Sequence, residues 1–275
     1  MKPRALILDI FGDYLRYVDS EVRAGDLVDL LGVLGVEAAA TRMTLSRLKQ
    51  EGWFTTRRVG RETIYRLSPH LLDILDEGRA RIFTEYEDAW DGWWTQVVFQ
   101  TAESDRTVRD QIKKKLAWLG FGPLTPSTWL TPRAAHDDAL RLRSEFPSAS
   151  IDVLRSRTDD VDADRSLVGR CWDLGLLEAD YQEFIDAHLP LLPKVYELSG
   201  PAALVARTEI VSTYRHFPFR DPSIPLALRP AGWSGAVAHS LFLEVHGALA
   251  DAAVAYVGEV VGADIATLDP STKNM

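Results

Sequence analysis

The sequence predicts an α+β protein, because long stretches with helical periodicity alternate with two groups of short β-favouring segments. Its 275 residues are too many for one ordinary small domain, so we expect several domains with separate cores. Hydrophobic residues make up 46% of the chain and charged residues 26%, as in folded globular proteins. The order of the segments predicts domains at 1–88, 89–160 and 161–275, the last of them helical.

Three helices are predicted at the beginning of the chain. Apolar residues at i, i+3 and i+4 predict the first within 3–17 and the second over 24–34, where Gly35 ends it. The third helix, over 38–50, has two faces. Its inward stripe contains Thr41, Thr44, Leu45 and Leu48, and its polar stripe contains Arg42, Met43, Ser46, Arg47 and Gln50.

A basic β-hairpin is predicted directly after the third helix. β-Favouring residues flank a turn at Gly60, with arginines at its tip. The stretch from Arg42 to Arg66 holds seven Arg and Lys residues against two Glu, although the whole chain carries a formal charge of -9. This local excess of bases is the main electrostatic anomaly of the sequence.

Three helices followed by a basic hairpin is the order of a winged helix-turn-helix, in which the third helix enters the DNA major groove. Arginine there forms bidentate hydrogen bonds to guanine, so we expect Arg42 and Arg47, beside Met43 and Ser46, to contact bases. The hairpin residues Arg57, Arg58 and Arg61 would then contact phosphates. The alternative is a helical domain with a solvated basic face.

The middle of the chain predicts a small ferredoxin-like domain. Strand-like and helical segments between 95 and 157 follow the order β-α-β-β-α-β. Its first helix carries Lys113, Lys114 and Lys115, which we interpret as a solvated face.

The remainder is helical, with a final long helix predicted over 235–261. Its apolar stripe is either core or a dimer seam, and it contains Val237, Leu241, Val245, Leu249 and Ala252. Before it, residues 214–235 are rich in proline, aromatic and charged residues, as in an ordered surface or pocket. The candidate residues there for binding an anionic ligand are Arg215, His216, Arg220 and Trp233.

No sequence motif predicts catalysis, a metal or a cofactor. A nucleophile elbow and a phosphate-binding glycine loop are missing, and His239 and His246 are too far apart to chelate one zinc ion alone. The single cysteine, Cys171, and the absence of an export or membrane signal favour the cytoplasm. Two alternatives remain: a thioesterase-like or nuclease-like enzyme using His216 and Asp221, and a module that only binds other proteins.

Several long motifs resemble the PaaX-type transcriptional repressors of phenylacetate catabolism, and the match spans nearly the whole chain. They are IFGDYLR (10–16), RMTLSRLKQEGW (42–53), WDGWWTQVVF (90–99), LAWLGFGPLTPSTWLTP (116–132), CWDL (171–174) and YRHFPFRDPSIP (214–225). The chain departs from the family form mainly at His216, where a second arginine is common, and in the GWSG segment (232–235).

The resemblance implies a homodimeric winged-helix repressor with a central Cas2-like domain and a helical C-terminal domain. It also implies double-stranded operator DNA as a partner and an aryl-CoA thioester, such as phenylacetyl-CoA, as the effector. Nuclease relatives of the Cas2 fold use an acidic residue at the end of their first strand to bind metal. Here no Asp occurs in or after that strand until Asp105, so we expect no nuclease activity.

Overall fold

A computed structural model of the chain describes residues 2–17, 21–84 and 90–265. The α-helices of these ranges are α1 (Pro3–Asp13), α2 (Ala24–Val33), α3 (Ala38–Gln50), α4 (Pro69–Phe83), α5 (Arg106–Trp118), α6 (His136–Glu145), α7 (Val161–Cys171), α8 (Leu174–His188), α9 (Gly200–Tyr214), α10 (Gly235–Ala248) and α11 (Ala250–Val261). The strands are β1 (Glu21–Arg23), β2 (Phe54–Val59), β3 (Glu62–Leu67), β4 (Trp94–Gln100), β5 (Gly122–Thr125), β6 (Thr128–Thr131) and β7 (Ser150–Ser156).

The chain forms two compact units. The first consists of Met1–Thr84, Phe184–His216 and Val237–Met275, and the second of Glu85–Glu183 and Phe217–Ala236. The predicted boundary at 88 and 89 lies outside the described residues, and the division at 1–88, 89–160 and 161–275 stays a prediction.

The three N-terminal helices confirm the periodicity in the sequence. The helix predicted within 3–17 ends at Asp13 and continues as a 3-10 turn, Leu15–Tyr17. Its predicted apolar positions are all buried: Leu6, Ile7, Ile10, Phe11, Tyr14 and Leu15. The helix α2 ends before Gly35, whose φ of +79° suits a residue without a Cβ. The bounds of α3 are those predicted.

A three-stranded antiparallel sheet, in the order β1-β3-β2, follows these helices. The strands β2 and β3 form the predicted hairpin, whereas β1 was not predicted. It is only three residues long, and its pairing partners on β3 lie more than forty residues further along the chain: Glu21 faces Arg66, and Arg23 faces Ile64. So short a segment has no period that would distinguish it from a loop.

The last helix was predicted wrongly as one element. The chain bends by 49° between α10 and α11, so that Leu249, Ala253 and Val257 are all buried. Val237, predicted on the apolar stripe, is 57% exposed. Residues spaced by four drift around a helix of 3.6 residues per turn, so Val237 leaves the face that buries Leu241 and Val245.

The second unit contains a four-stranded antiparallel sheet in the order β5-β6-β4-β7. With α5 between β4 and β5, and α6 between β6 and β7, it confirms the predicted β-α-β-β-α-β order. Val97 and Phe99 of β4 pack in one core with Ile112 and Leu116 of α5. In a second core cluster, Trp94 packs with Val168 and Cys171 of α7.

A close contact between β5 and the end of α7 explains why residue 122 of this unit is a glycine. A Cβ on Gly122 would lie 2.5 Å from Cε2 of Trp172 and 2.8 Å from Cβ of Cys171. Real side chains do not approach so closely, so the start of β5 can pack against the end of α7 only because residue 122 has no side chain.

In the described ranges no single helix is both long and apolar enough to cross a membrane, although α10 and α11 together meet the same criteria as a bent pair.

Candidate nucleic-acid interface

The helix α3 presents one buried and one exposed face, as predicted. Thr41, Leu45 and Leu48 are fully buried, and α3 packs against α2 and α1. The opposite side chains are all exposed: Arg42, Met43, Ser46, Arg47, Lys49 and Gln50. Met43, at 60% exposure, is an unusually open apolar side chain, and it directly follows Arg42 in the sequence. The outer face of α3 is therefore basic, polar and accessible.

The hairpin turns at Gly60, which adopts φ of +61°, a conformation that disfavours residues with a Cβ. Its tip is exposed on both strands, and Arg57, Arg58, Val59 and Arg61 all contact solvent. The base of the hairpin is buried instead, since Phe54 packs on Phe11 with ring centroids 4.8 Å apart. The core thus fixes the base of the hairpin, whereas the arginines at its tip are exposed and not packed against the core.

The two acidic residues of the basic stretch 42–66 each form an ion pair with an arginine that lies outside this stretch in the sequence. Glu51 accepts from Arg4 at 2.6 Å, and Glu62 lies 3.2 Å from Arg23. The basic residues of α3 and of the hairpin are therefore not neutralised by the acids beside them in the sequence.

Arg57 is the exception among the predicted phosphate-contacting residues. Its guanidinium donates to the Glu21 carboxylate at 2.6 Å and 3.3 Å. This hydrogen bond and the charge of Arg57 lower the pKa of the Glu21 carboxyl. Sequence reasoning could not foresee the pair, because it depends on the unpredicted strand β1.

Four of the predicted DNA-contacting arginines form no ion pair with any described residue: Arg42, Arg47, Arg58 and Arg61. Two of them are on α3 and two at the hairpin tip. Guanidinium groups that are exposed and unpaired are free to bind phosphate or the edge of a base without losing an existing partner.

The four predicted effector residues are not all in one unit. Arg215 and His216 belong to the first unit and Arg220 and Trp233 to the second. Arg215 is ion-paired with the buried Asp9 at 2.9 Å, and His216 is exposed. In the second unit, Arg220 pairs with Asp180, and Trp233 packs edge-on against Tyr181 with centroids 5.6 Å apart. Arg220 and Trp233 therefore lie against neighbouring residues of α8.

A buried charge cluster in the first unit escaped the sequence reasoning. Asp13 of α1 contacts Nη1 of Arg207 at 2.8 Å and accepts from Nε2 of His246 at 2.9 Å. Arg207 also donates to the carbonyl of His246 at 3.0 Å and lies 4.9 Å above the Tyr14 ring. The cluster ties α1 to α9 and α10. Its signal in the sequence was an Asp at positions 9 and 13 of an otherwise apolar helix face.

The charges in this cluster are set by burial and by the neighbouring groups. Burial alone would raise the pKa of Asp13, but Arg207 and His246 hold it below its usual range. Burial lowers the pKa of His246, which Asp13 only partly offsets. For Asp9, burial outweighs the attraction of Arg215 and raises the pKa to about 6. Asp9 is therefore ionised at neutral pH at a cost in stability.

Comparison with known proteins places this chain in a family. Three family descriptions match successive parts of it: PaaX-like protein over residues 2–71, PaaX protein central Cas2-like domain over 87–168, and PaaX-like protein C-terminal domain over 172–259. The transcriptional repressor PaaX of Escherichia coli strain K12 is 32% identical over 267 residues, which cover 93% of this chain and 83% of that protein.

One solved structure, of an uncharacterized protein from Mycobacterium tuberculosis, superposes with a TM-score of 0.59. It is 21% identical, and the alignment covers 90% of this chain and 96% of that one, so it supports the fold alone. The sequence matches define the class of protein, which is a transcriptional regulator and not an enzyme. The chain belongs to the PaaX family.

Proposed function

We propose that this regulator is a repressor that binds operator DNA through a winged helix-turn-helix formed by α1 to α3 and the β2–β3 hairpin. The exposed basic face of α3, with Arg42 and Arg47 unpaired, is the observation that carries the proposal. In this arrangement α3 lies in the major groove, where Arg42 and Arg47, with Met43 and Ser46, contact base edges. The wing arginines Arg58 and Arg61 contact phosphates, and Arg57 does so once it is released from Glu21.

The repressor acts as a homodimer on a pseudo-palindromic operator. Two copies place two α3 helices in successive major grooves on the same side of the duplex, which doubles the number of specific contacts. The dimer contact is formed outside the α3 face and the wing, since those surfaces contact DNA.

The signal that releases the operator is an aromatic acid, present as its CoA thioester, and the regulated genes belong to aromatic-acid catabolism of the phenylacetate type. The support is the family membership and the 32% identity to the repressor PaaX. An effector of this kind acts by binding more tightly to the form of the protein that binds DNA poorly. The sequence also predicts Arg215, His216, Arg220 and Trp233 as effector contacts, but the first two and the last two belong to different units. Arg215 already pairs with Asp9, and Arg220 with Asp180.

Fluorescence anisotropy on promoter DNA of the protein's own gene tests the proposal. We expect binding that weakens steeply as salt is raised, because Arg and Lys displace counterions from phosphates. Competitor DNA of scrambled sequence should bind at least about a thousandfold more weakly at physiological salt. Competition by scrambled DNA as effective as competition by promoter DNA would contradict the proposal.

A second titration tests the effector. Phenylacetyl-CoA added to the preformed complex should lower its anisotropy, and acetyl-CoA at the same concentration should leave it unchanged. A complex that resists both compounds would refute the effector assignment and leave the DNA-binding proposal intact.

A further inference from the structure

Three sequence motifs that DNA binding does not explain meet at one cavity in the second unit. The cavity has a volume of about 510 Å³. It is lined by residues of WDGWW (90–94), by residues of 132–137, which begins at the last proline of LAWLGFGPLTPSTWLTP, and by Ser223 and Pro225 from the end of YRHFPFRDPSIP. Pockets for small molecules have volumes of roughly 300–1,000 Å³. The size and the convergence of separate segments are those of a ligand site.

The cavity has an aromatic wall. Trp93 is 37% exposed, and the guanidinium groups of Arg155 and Arg157 lie 4.9 Å and 5.2 Å from its ring centroid. Trp90 is held in place, since its Nε1 donates to the carbonyl of Trp93 at 3.1 Å and its ring packs against the fully buried Trp94. A partly exposed indole with two cationic groups over its ring suits a ligand that joins a planar ring to an anion.

Cationic groups lie next to this wall. Arg133 and Arg155 both line the cavity, together with the carboxylates of Asp91 and Asp137. Arg155 pairs with Asp91 at 2.8 Å, but both side chains are at least half exposed. Exposed ion pairs contribute little stability in water. An anionic ligand can therefore replace Asp91 as the partner of Arg155 at small cost.

The cavity is also lined by Ser223, whose backbone N–H is held by a hydrogen bond. Ser223 has φ of +52°, a conformation that is strained for a residue with a side chain. Its N–H donates to Oδ1 of Asp221 at 2.6 Å, and Asp221 also accepts from the Tyr181 hydroxyl at 2.7 Å. Strained backbone persists where its surroundings impose it, and it is concentrated at ligand sites.

We propose that this cavity binds an aromatic ring linked to an anionic group, with the ring against Trp93 and the anion at Arg155 and Arg133. Its assignment as the effector site rests on the function proposed above. The free aromatic acid and its CoA thioester share this chemistry, and the experiment separates them.

A second cleft of the same unit, of about 530 Å³, fits such a ligand less well. Two of its three arginines are already engaged with the backbone, since Arg165 donates to the carbonyl of Ala227 and Arg229 to that of Ile224. Its thiol, Cys171, is unreactive because burial raises its pKa to about 11.

Isothermal titration calorimetry without DNA tests the site, with phenylacetate and phenylacetyl-CoA as probes and cyclohexylacetate and acetyl-CoA as non-aromatic controls. We expect one of the aromatic probes to bind and its matched control to bind at least about tenfold more weakly. Trp93→Leu should raise the Kd of that probe about tenfold. Trp118→Leu is the matched control, because Trp118 is 38% exposed in the same unit and outside the cavity, and it should leave the Kd unchanged.

Two further variants keep the test decisive if Trp93→Leu fails to fold. Ala134→Phe fills the cavity from an exposed position and should abolish binding. Arg155→Met should weaken binding about tenfold, whereas Arg141→Met, which removes an exposed arginine paired with Asp138, should not.

Two results would overturn the inference: no binding of either aromatic probe to the folded protein, or equal Kd values for the wild type and Ala134→Phe. The proposed repressor function is tested separately by anisotropy on promoter DNA. If neither aromatic probe gives a heat of binding while promoter DNA still binds, only the cavity proposal is refuted. If a probe binds but promoter DNA does not, only the repressor proposal is refuted.

Discussion

Individual arginines in the basic stretch have different surroundings, and these predict different roles. Arg47 lies on the outer face of a helix and Arg58 at the tip of a hairpin, and neither forms an ion pair with the described residues. A contact to a base edge distinguishes sequences, whereas a contact to a phosphate strengthens binding to all of them.

Replacing Arg47 by Ala should therefore weaken operator binding by about 1–3 kcal/mol and reduce discrimination at one base pair. Replacing Arg58 by Ala should weaken binding to operator and scrambled DNA alike and reduce the salt slope by about one phosphate contact. Anisotropy titrations over a salt series measure both, with Arg141→Ala as a control outside the interface. A similar loss of specificity in both variants would contradict this division.

The buried Asp9 predicts a dependence of stability on pH. Its folded pKa of about 6 lies above its ordinary value of 3.8, so the folded state binds a proton first as the pH falls. The contribution of this group to stability is complete below pH 3.8 and is lost as the pH rises through 6. Arg215 and Asp13 are the charged groups that act on Asp9.

Asp9→Asn removes this titration while keeping a neutral side chain of the same shape. The unfolding free energy of the wild type minus that of Asp9→Asn should be about 2 kcal/mol more positive at pH 4.5 than at pH 7. Urea denaturation at the two pH values measures the difference. An equal difference at both values would show that the pKa of Asp9 is not raised.

At the scale of elements, the sheet of the first unit connects the wing to the chain before α2. The strand β1 pairs along β3, and its Glu21 reaches the wing residue Arg57. The sequence identified the hairpin because β2 and β3 are neighbours in sequence joined by a glycine turn. The strand β1 was missed because its pairing is not local.

Glu21→Gln should release Arg57 for contact with phosphate. We expect the slope of log Kd against log salt to increase by about one unit on both operator and scrambled DNA. Asp138→Asn is the control, since it also removes one negative charge and frees one arginine, Arg141, away from the wing. An unchanged slope in Glu21→Gln would mean that Arg57 has a structural role only.

The contact of β5 with the end of α7 predicts opposite effects for two glycines. Gly122→Ala should lower the unfolding free energy by about 1–3 kcal/mol, because the new Cβ would overlap Trp172 and Cys171. Gly169→Ala, within α7 and with no atom within 4 Å of the added Cβ, should raise it by about 0.5–1 kcal/mol. Urea denaturation of both variants measures this, and equal effects would contradict the close approach.

At the scale of the whole molecule, charge is divided along the chain. Residues 1–80 hold as many basic as acidic residues, so the rest of the chain carries the net charge of -9. We expect this acidic remainder to repel DNA and to restrict binding to the basic face of α3 and the β2–β3 hairpin. Because the rest of the chain is acidic, a dimer that binds one duplex has to present the basic α3 faces of both copies on the same side.

Two chains should therefore occupy one operator duplex. Light scattering coupled to gel filtration should give a mass of two chains per duplex, and inserting about 5 bp between the half-sites should abolish high-affinity binding, because half a helical turn moves one half-site to the opposite side. Insertion of about 10 bp should restore part of it. A complex of one chain per operator would contradict the dimer.

The sequence by itself determined the elements whose pattern is local: the two-faced α3, the basic hairpin and the β-α-β-β-α-β order, as well as the resemblance that the family matches confirm. Periods of 3.6 and 2 residues are visible within a dozen residues, so these predictions needed no partner elsewhere in the chain. Only the tertiary structure decided the pairing of β1, the bend between α10 and α11, the burial of Asp13 with Arg207, and the convergence of Trp93, Arg155 and Ser223 on one cavity. Each of these joins residues far apart in sequence, and no local pattern specifies which distant partners a folded chain brings together.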